Sequence, residues 1–323
     1  MKRFKHYDAC TLDEAVSLLK EFDGKANIIA GGTDIVGLFK DNVFAESPEA
    51  LINIKTIPGL DYVQEEEDML KIGPLALLED LAHNKLLKSN YTALAEAARR
   101  TASPHIREMG TIGGNICQFS RCWYYRLPNN RFNCIRKGGK DCFAEEGENR
   151  YHSIFGNVKD CLAVHPSDTA PALIALEAKV KTTKRVIEMA DFYQTEDAKK
   201  FSILDSDEIL IEIQIPRPSE STKSKFEKFA IRKSIDFPIV NCASKVEFEG
   251  DKVKKANICL NAVFVTPYVP KKAEEYLEGK ALELDTVETA AQLALQDAKP
   301  LSKNEYKIEI AKSLIKKTLL ACK

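Results

Sequence analysis

The strongest constraint on this chain is a feature that it carries twice: two adjacent glycines with a threonine and a polar residue close by. Ile28-Ile29-Ala30-Gly31-Gly32-Thr33-Asp34 sets Gly31 and Gly32 straight after an apolar strand and ahead of a helix that begins near Asp34. Thr111-Ile112-Gly113-Gly114-Asn115 repeats that chemistry further along. Glycine admits positive φ and lets backbone come close to a ligand, so successive N–H groups can face one anion. A helix N-terminus adds its positive dipole end. Neither segment is G-x-G-x-x-G and neither carries the Lys-Ser/Thr of a P-loop, so a nicotinamide Rossmann site is not indicated. Either pair alone reads as a tight turn. Together they point to a clamp for a diphosphate.

A length of 323 residues suggests two or three domains rather than one core. Lys+Arg 47 against Asp+Glu 48 leaves a formal net charge of -1, so bulk electrostatics favours neither nucleic acid nor an anionic membrane. No run of about 18 apolar residues is present. The first residues are basic but lead into no apolar segment of the secretory kind.

Patterning divides the chain into three units. Residues 1–57 read as a small α+β unit: a strand, a helix capped by Thr11 and Glu14, a second strand, the first glycine loop, a short helix and a strand at residues 50–54. Residues 58–218 contain a strand at 69–72, helices at 77–87 and 91–101, the second glycine segment as a turn, regular structure at 166–180 with 171–176 apolar, and a strand at 208–215. Residues 219–323 read as three strands in hairpin order, with Glu249-Gly250-Asp251 as one turn, followed by two amphipathic helices.

Within the second unit, residues 119–160 are polar, aromatic and without periodicity, too long for an idle connection. Five of the 9 cysteines fall between Cys117 and Cys161. An odd count in a chain with a substantial core argues against a disulfide framework. Cys122, Cys134, Cys142 and Cys161 are spaced C-x11-C-x7-C-x18-C, without the close pairs of a zinc ribbon. Spacing leaves two readings open: an iron–sulfur site, whose usual ligand set is four cysteines, or scattered thiols packed as small hydrophobes. Arg121, Arg126, Arg131, Arg136, Lys137 and Lys140 would offset the charge of a cluster. Interleaved with Trp123, Tyr124 and Tyr125 they also allow a zinc-dependent nucleic-acid module, which leaves both glycine segments unexplained. Cys117 reads as packing, and Cys10, Cys242, Cys259 and Cys322 show no evident partners.

The two glycine segments in this order resemble the FAD-binding subunits of the molybdenum hydroxylases. That family includes xanthine dehydrogenases, carbon monoxide dehydrogenase, aldehyde oxidoreductases and 4-hydroxybenzoyl-CoA reductase. Pro166-Ser167-Asp168, Glu208-Ile209-Leu210 and Lys228-Phe229-Ala230-Ile231-Arg232 follow in the family's order, so the resemblance covers essentially the whole chain. It implies an α+β fold: a two-subdomain FAD-binding fold of the vanillyl-alcohol-oxidase and molybdenum-hydroxylase type, plus a C-terminal three-stranded sheet with helices. It also implies roles. Ile29, Ala30, Gly31, Gly32, Thr33 and Asp34, with Thr111, Gly113, Gly114 and Asn115, would wrap the FAD diphosphate and ribityl chain, and Gln118 would stand near the phosphates. Asp168 would accept from a cofactor hydroxyl, Leu210 would pack on the isoalloxazine, and Lys228 would lie near its pyrimidine edge. Taken alone, Asp168 also reads as a helix N-cap, Leu210 as core and Lys228 as surface.

One branch of that family carries a 4Fe-4S insertion where the cysteine stretch lies. Arg121-Cys122-Trp123-Tyr124-Tyr125 and Glu148-Asn149-Arg150-Tyr151-His152 resemble it. The hydroxybenzoyl-CoA reductase type has its fourth cysteine about where Tyr151 stands, so here Cys161 would serve, as in aldehyde oxidoreductases. His152 is an alternative ligand. The resemblance implies an electron-transfer subunit that works with a small 2Fe-2S subunit, a large molybdenum-cofactor subunit and an external electron carrier, as a dimer of heterotrimers. The free thiols and the absence of a secretory signal favour a cytoplasmic location, with export on a partner's twin-arginine signal as an alternative. The competing reading is a self-sufficient FAD-dependent oxidoreductase.

Overall fold

A computed structural model describes residues 1–194, 197 and 199–323. Strands β1 (Lys5–Asp8), β2 (Ala26–Ile29) and β3 (Ala50–Asn53) form a parallel sheet in the order β1-β3-β2. The helix Leu12–Glu21 crosses between the first two. Thr11 Oγ1 accepts from the Glu14 N–H at 3.1 Å, and the Glu14 carboxylate accepts from the Cys10 N–H at 2.8 Å. The cap is reciprocal, displaced by one residue on its return leg.

Strands β4 (Val63–Glu66), β5 (Met69–Ile72), β6 (Lys179–Thr182), β7 (Val186–Glu188) and β8 (Leu210–Pro216) form an antiparallel sheet in the order β4-β5-β8-β6-β7. The edge strand β4 escapes the sequence reading because Val63-Gln64-Glu65-Glu66 offers little apolar alternation. The helix expected over residues 77–87 is two, Leu78–His83 and Lys85–Asn90. Asn84 ends the first and caps the second, its Oδ1 accepting from the Leu87 N–H at 3.2 Å. Thr92–Arg100 and Thr169–Ala175 are the buried helices of this unit.

Strands β9 (Thr222–Phe229), β10 (Val240–Glu249) and β11 (Lys252–Asn261) form the antiparallel sheet β11-β10-β9, closed at Gly250, where φ is +59°. Both faces are covered. Phe226, Ala243 and Cys259 face the core that contains Thr92–Arg100 and Thr169–Ala175. Val240, Cys242, Val246, Ile258 and Leu260 face helices Lys271–Leu277, Leu284–Leu295 and Tyr306–Leu320. The period-2 alternation of a strand delivers successive side chains to the two cores. The first of these three helices was not anticipated from the sequence.

The cysteine stretch has only single helical turns, at Trp123–Arg126, Pro128–Asn130 and Ile135–Lys137.

Candidate functional site

The two glycine segments meet. A Cβ placed on Gly31 would stand 2.0 Å from the Met109 carbonyl oxygen and 3.1 Å from Gly110 Cα, so only glycine lets the first loop lie against the approach to the second. Gly32 has φ +72°, in the left-handed region. Gly113 is held to glycine by Pro74, whose Cβ and carbonyl oxygen would come within 2.8 and 2.9 Å of an added Cβ. Both segments open on one cavity of about 960 Å³, toward the upper end for a ligand site.

The second segment is not a turn. It is a helical turn, Ile112–Ile116, with Thr111 as its N-cap. Its donors are committed: Ile112 N–H to Ala76 O, Gly113 N–H to Pro74 O, Gly114 N–H to Thr111 Oγ1 and Asn115 N–H to Thr111 O. The expectation that its N–H groups face an anion is therefore corrected, because its own cap and the 74–76 backbone use them. In the first loop, by contrast, the N–H groups of Gly31, Gly32, Thr33 and Asp34 take no partner among the described residues.

The cavity collects most of the residues expected of it. Ala30 through Asp34 form one side; Thr111, Gly113, Gly114, Asn115 and Gln118 form another. Asp168 and Leu210 stand on the remaining walls. Ile29 lies beneath Gly32 and does not reach the lining, and neither does Lys228. Asn115 Oδ1 accepts from Ser167 Oγ at 2.5 Å and Thr169 Oγ1 at 2.7 Å, which ties the second segment to the Asp168 wall. Gln118 Nε2 donates to Asn115 O at 2.7 Å. Cys117 reaches solvent at the cavity wall and is not packing.

Asp168 and Lys228 form a buried pair, with Lys228 Nζ 2.6 Å from Asp168 Oδ2. Asn241 Nδ2 donates to Asp168 Oδ1 at 2.7 Å. Burial pushes the Asp168 carboxyl above the ordinary carboxylate range, and the Lys228 ammonium and the Asn241 amide pull it back. Asp168 does precede the helix Thr169–Ala175, but its side chain caps nothing; Ser167 Oγ takes the Ala170 N–H at 3.0 Å. The surface reading of Lys228 fails as well, since its side chain is 3 % exposed.

Beside the cavity, Cys122, Cys134 and Cys161 pack into one cluster with Leu38, Tyr125 and Ala163. Cys142 is half-buried and within electrostatic reach of Cys161. Burial pushes the Cys122 thiol up to about 12 and raises Cys134 and Cys142 too, so without a metal these groups are thiols. Arg136 Nε donates to Cys161 Sγ at 3.0 Å, and His152 Nε2 lies 3.3 Å from Cys122 Sγ. Burial, with Lys307 adding to it, pushes His152 down to about 4. Among the described residues, no three His, Cys, Asp or Glu side chains stand as a single metal ion's ligands.

Three arginines of this stretch, Arg121, Arg126 and Arg136, turn inward, while Arg131 is exposed. Arg126 clasps Asp34 with both terminal nitrogens, at 2.7 and 3.0 Å. Arg121 adds a bond to Asp34 at 3.0 Å and the Phe119 N–H another at 3.2 Å. This use commits Arg126 within the protein, and Arg136 is buried, whereas Arg121 still lines the cavity. Sequence reasoning missed the Asp34 tie, which no local spacing signals. Phe201 also belongs to both places. It lines the cavity, and its ring meets Tyr125 at 5.6 Å and the Arg136 guanidinium at 4.6 Å.

Comparison with known proteins agrees with this geometry. Residues 2–218 match the family described as "FAD binding domain in molybdopterin dehydrogenase", and residues 225–322 match "CO dehydrogenase flavoprotein C-terminal domain". The chain is 30% identical to the aldehyde oxidoreductase FAD-binding subunit PaoB of Escherichia coli, over 99% of this chain and 98% of that one. It is also 30% identical to the nicotinate dehydrogenase FAD-subunit of Eubacterium barkeri, over 89% and 84% respectively. Among solved structures, carbon monoxide dehydrogenase from Hydrogenophaga pseudoflava superposes with a TM-score of 0.78 at 25% identity, covering 99% of this chain and 97% of that one.

Proposed function

The chain belongs to the FAD-binding medium subunits of the molybdenum hydroxylases, and from that premise we propose how its cavity and its cysteines serve an oxidoreductase complex. It is an electron-transfer subunit, and the substrate is transformed in a separate molybdenum subunit. The relatives are named as subunits of larger enzymes, and this chain covers 84% and 98% of two of them.

The observation that carries the reading is the cavity onto which both glycine segments open, with the first loop's backbone donors uncommitted. FAD, when bound, exchanges electrons either in pairs or one at a time, a chemistry that belongs to the cofactor. The chain's part is to hold and bias it. The N–H groups of Gly31 to Asp34 receive the diphosphate, and the free amide edge of Asn115 and Gln118 border it. Asp168 accepts from a cofactor hydroxyl, and Leu210 supplies an apolar wall. Lys228 acts through Asp168 rather than by contact.

We further propose that Cys122, Cys134, Cys142 and Cys161 hold a 4Fe-4S cluster. The packing of Cys122, Cys134 and Cys161 together, with Cys142 in electrostatic reach of Cys161, and the Arg136 donor at Cys161 support this, since N–H donors to cluster sulfur favour the reduced, more negative state. The partners are a small 2Fe-2S subunit and a large molybdenum subunit, assembled as a dimer of heterotrimers that passes electrons to an external carrier. Residues 1–57, 58–218 and 219–323 are its folding units. No helix among the described residues is long and apolar enough to cross a membrane, and we place the complex in the cytoplasm.

A visible spectrum of the purified full chain tests both parts. Flavin bands with a broad shoulder at about 400 nm, where 4Fe-4S clusters absorb, are expected. Flavin bands alone would remove the cluster, and a colourless protein that takes up no FAD would remove the scheme.

A further inference from the structure

One row of polar side chains runs straight across the C-terminal sheet. In the register of β9, β10 and β11, Lys228 stands opposite Asn241, and Asn241 stands opposite Asn261. The neighbouring row on the same face is apolar, Phe226, Ala243 and Cys259. Three polar residues within a buried face carry a desolvation cost, so their partners matter. All three converge on the two residues ahead of helix Thr169–Ala175. Lys228 Nζ and Asn241 Nδ2 each donate to one oxygen of the Asp168 carboxylate, at 2.6 and 2.7 Å. Asn261 Nδ2 donates to the Ser167 carbonyl oxygen at 2.6 Å. Both asparagines are fully buried. The acceptors opposite them fix how each amide is turned, because a carboxylate and a carbonyl require the NH₂ side.

We propose that Asn241, backed by Asn261, is a positioning residue for the cofactor site, holding Asp168 as an oriented, ionised acceptor at the cavity wall. The inference rests on the FAD reading of the cavity. An ionised carboxylate has about four acceptor positions. Lys228 and Asn241 occupy one on each oxygen, which leaves the others for hydroxyl groups of the ligand. Asn261 fixes the preceding peptide, so the carboxylate cannot swing with its backbone. Affinity for the cofactor is thereby set partly from a sheet that does not line the cavity at these two asparagines.

The test is Asn241→Asp in the full chain. The apoprotein is titrated with FAD by quenching of flavin fluorescence, at pH 8 and at pH 6. The groups that face Asp168 are Lys228 from β9, Arg100 at the end of Thr92–Arg100, and residue 241 from β10; His165 lies beyond, beside Asn261. Two carboxylates at hydrogen-bond distance cannot both ionise readily. At pH 8 the variant loses its donor and gains a like charge, so affinity should fall about tenfold or more. At pH 6 a proton on residue 241 restores the donor, and affinity should recover toward that of the original chain. A general packing defect gives no such recovery. Equal affinity in variant and original chain at both pH values overturns the proposal, as does a loss of the same size at both. Where the aspartate variant does not fold, Asn241→Ser is titrated instead: a loss of about threefold or more is expected, and an unchanged affinity overturns the proposal. An original chain that takes up no FAD rejects the reading of the cavity itself, a result distinct from a variant that binds normally.

Discussion

The two glycine segments are nearly interchangeable on paper and opposite in the fold. At Gly31–Gly32 the backbone turns through positive φ at Gly32 and leaves a run of N–H groups without partners among the described residues. At Gly113–Gly114 the backbone is helical and its donors are used within the protein. The glycines of the first loop make room for a ligand and for the second segment. Gly113 makes room for Pro74, and Gly114 has a neighbour only at 3.1 Å, the Thr111 hydroxyl. A pair of adjacent glycines thus states that space is needed, without saying which group needs it.

Substitutions can break this comparison. Gly31→Val should have the largest effect, because its Cβ meets a backbone oxygen that cannot rotate away. We expect a loss of about 3 kcal/mol or more of stability, read by denaturant unfolding, together with loss of flavin from the purified protein. Asp34→Ala should follow, at about 2–3 kcal/mol, since Arg126, with little exposure, and the half-buried Arg121 lose their shared carboxylate. Residues 119–126 should then become more accessible to limited proteolysis. Gly32→Ala should cost about 1 kcal/mol for the left-handed backbone, and FAD affinity should fall with it in a fluorescence titration.

The second segment should answer differently. Thr111→Ala should cost about 1 kcal/mol as a lost N-cap, with FAD affinity changed less than in Gly32→Ala. Gly114→Ala should be nearly neutral in a thermal melt, because a better helix former offsets a mild contact with Thr111. Were Gly114→Ala to weaken FAD binding more than Gly32→Ala, the assignment of open donors to the first loop would be wrong.

Much of the architecture was legible because it is local. Strands β5, β8, β9, β10 and β11 announce themselves by alternation, and the Thr11 cap by its spacing. Residues 284–295 and 306–320 show helical faces. What was missed depends on partners far along the chain. The strand β4 is defined by its pairing with β5, not by its own composition. Asn84 splits a helix through one side-chain bond. At the site, the glycine segments pointed to a shared cavity, and Asp34 lines it, but that its carboxylate also holds Arg121 and Arg126 was not foreseen. Lys228 was expected beside the cofactor; it does not line the cavity and is buried against Asp168, which does. Asn241 and Asn261 drew no attention, because a single asparagine in a strand looks like an exposed position until the register puts it opposite another.

The carboxylate of Asp34 joins segments that the chain keeps far apart, receiving bonds from Phe119, Arg121 and Arg126 while its own backbone belongs to the first loop. One side chain therefore acts as a rivet between the flavin pocket and the cysteine stretch. On the proposed cluster reading, iron loading would stiffen the loop through this one carboxylate, and removing iron with a chelator should let the yellow colour go more readily.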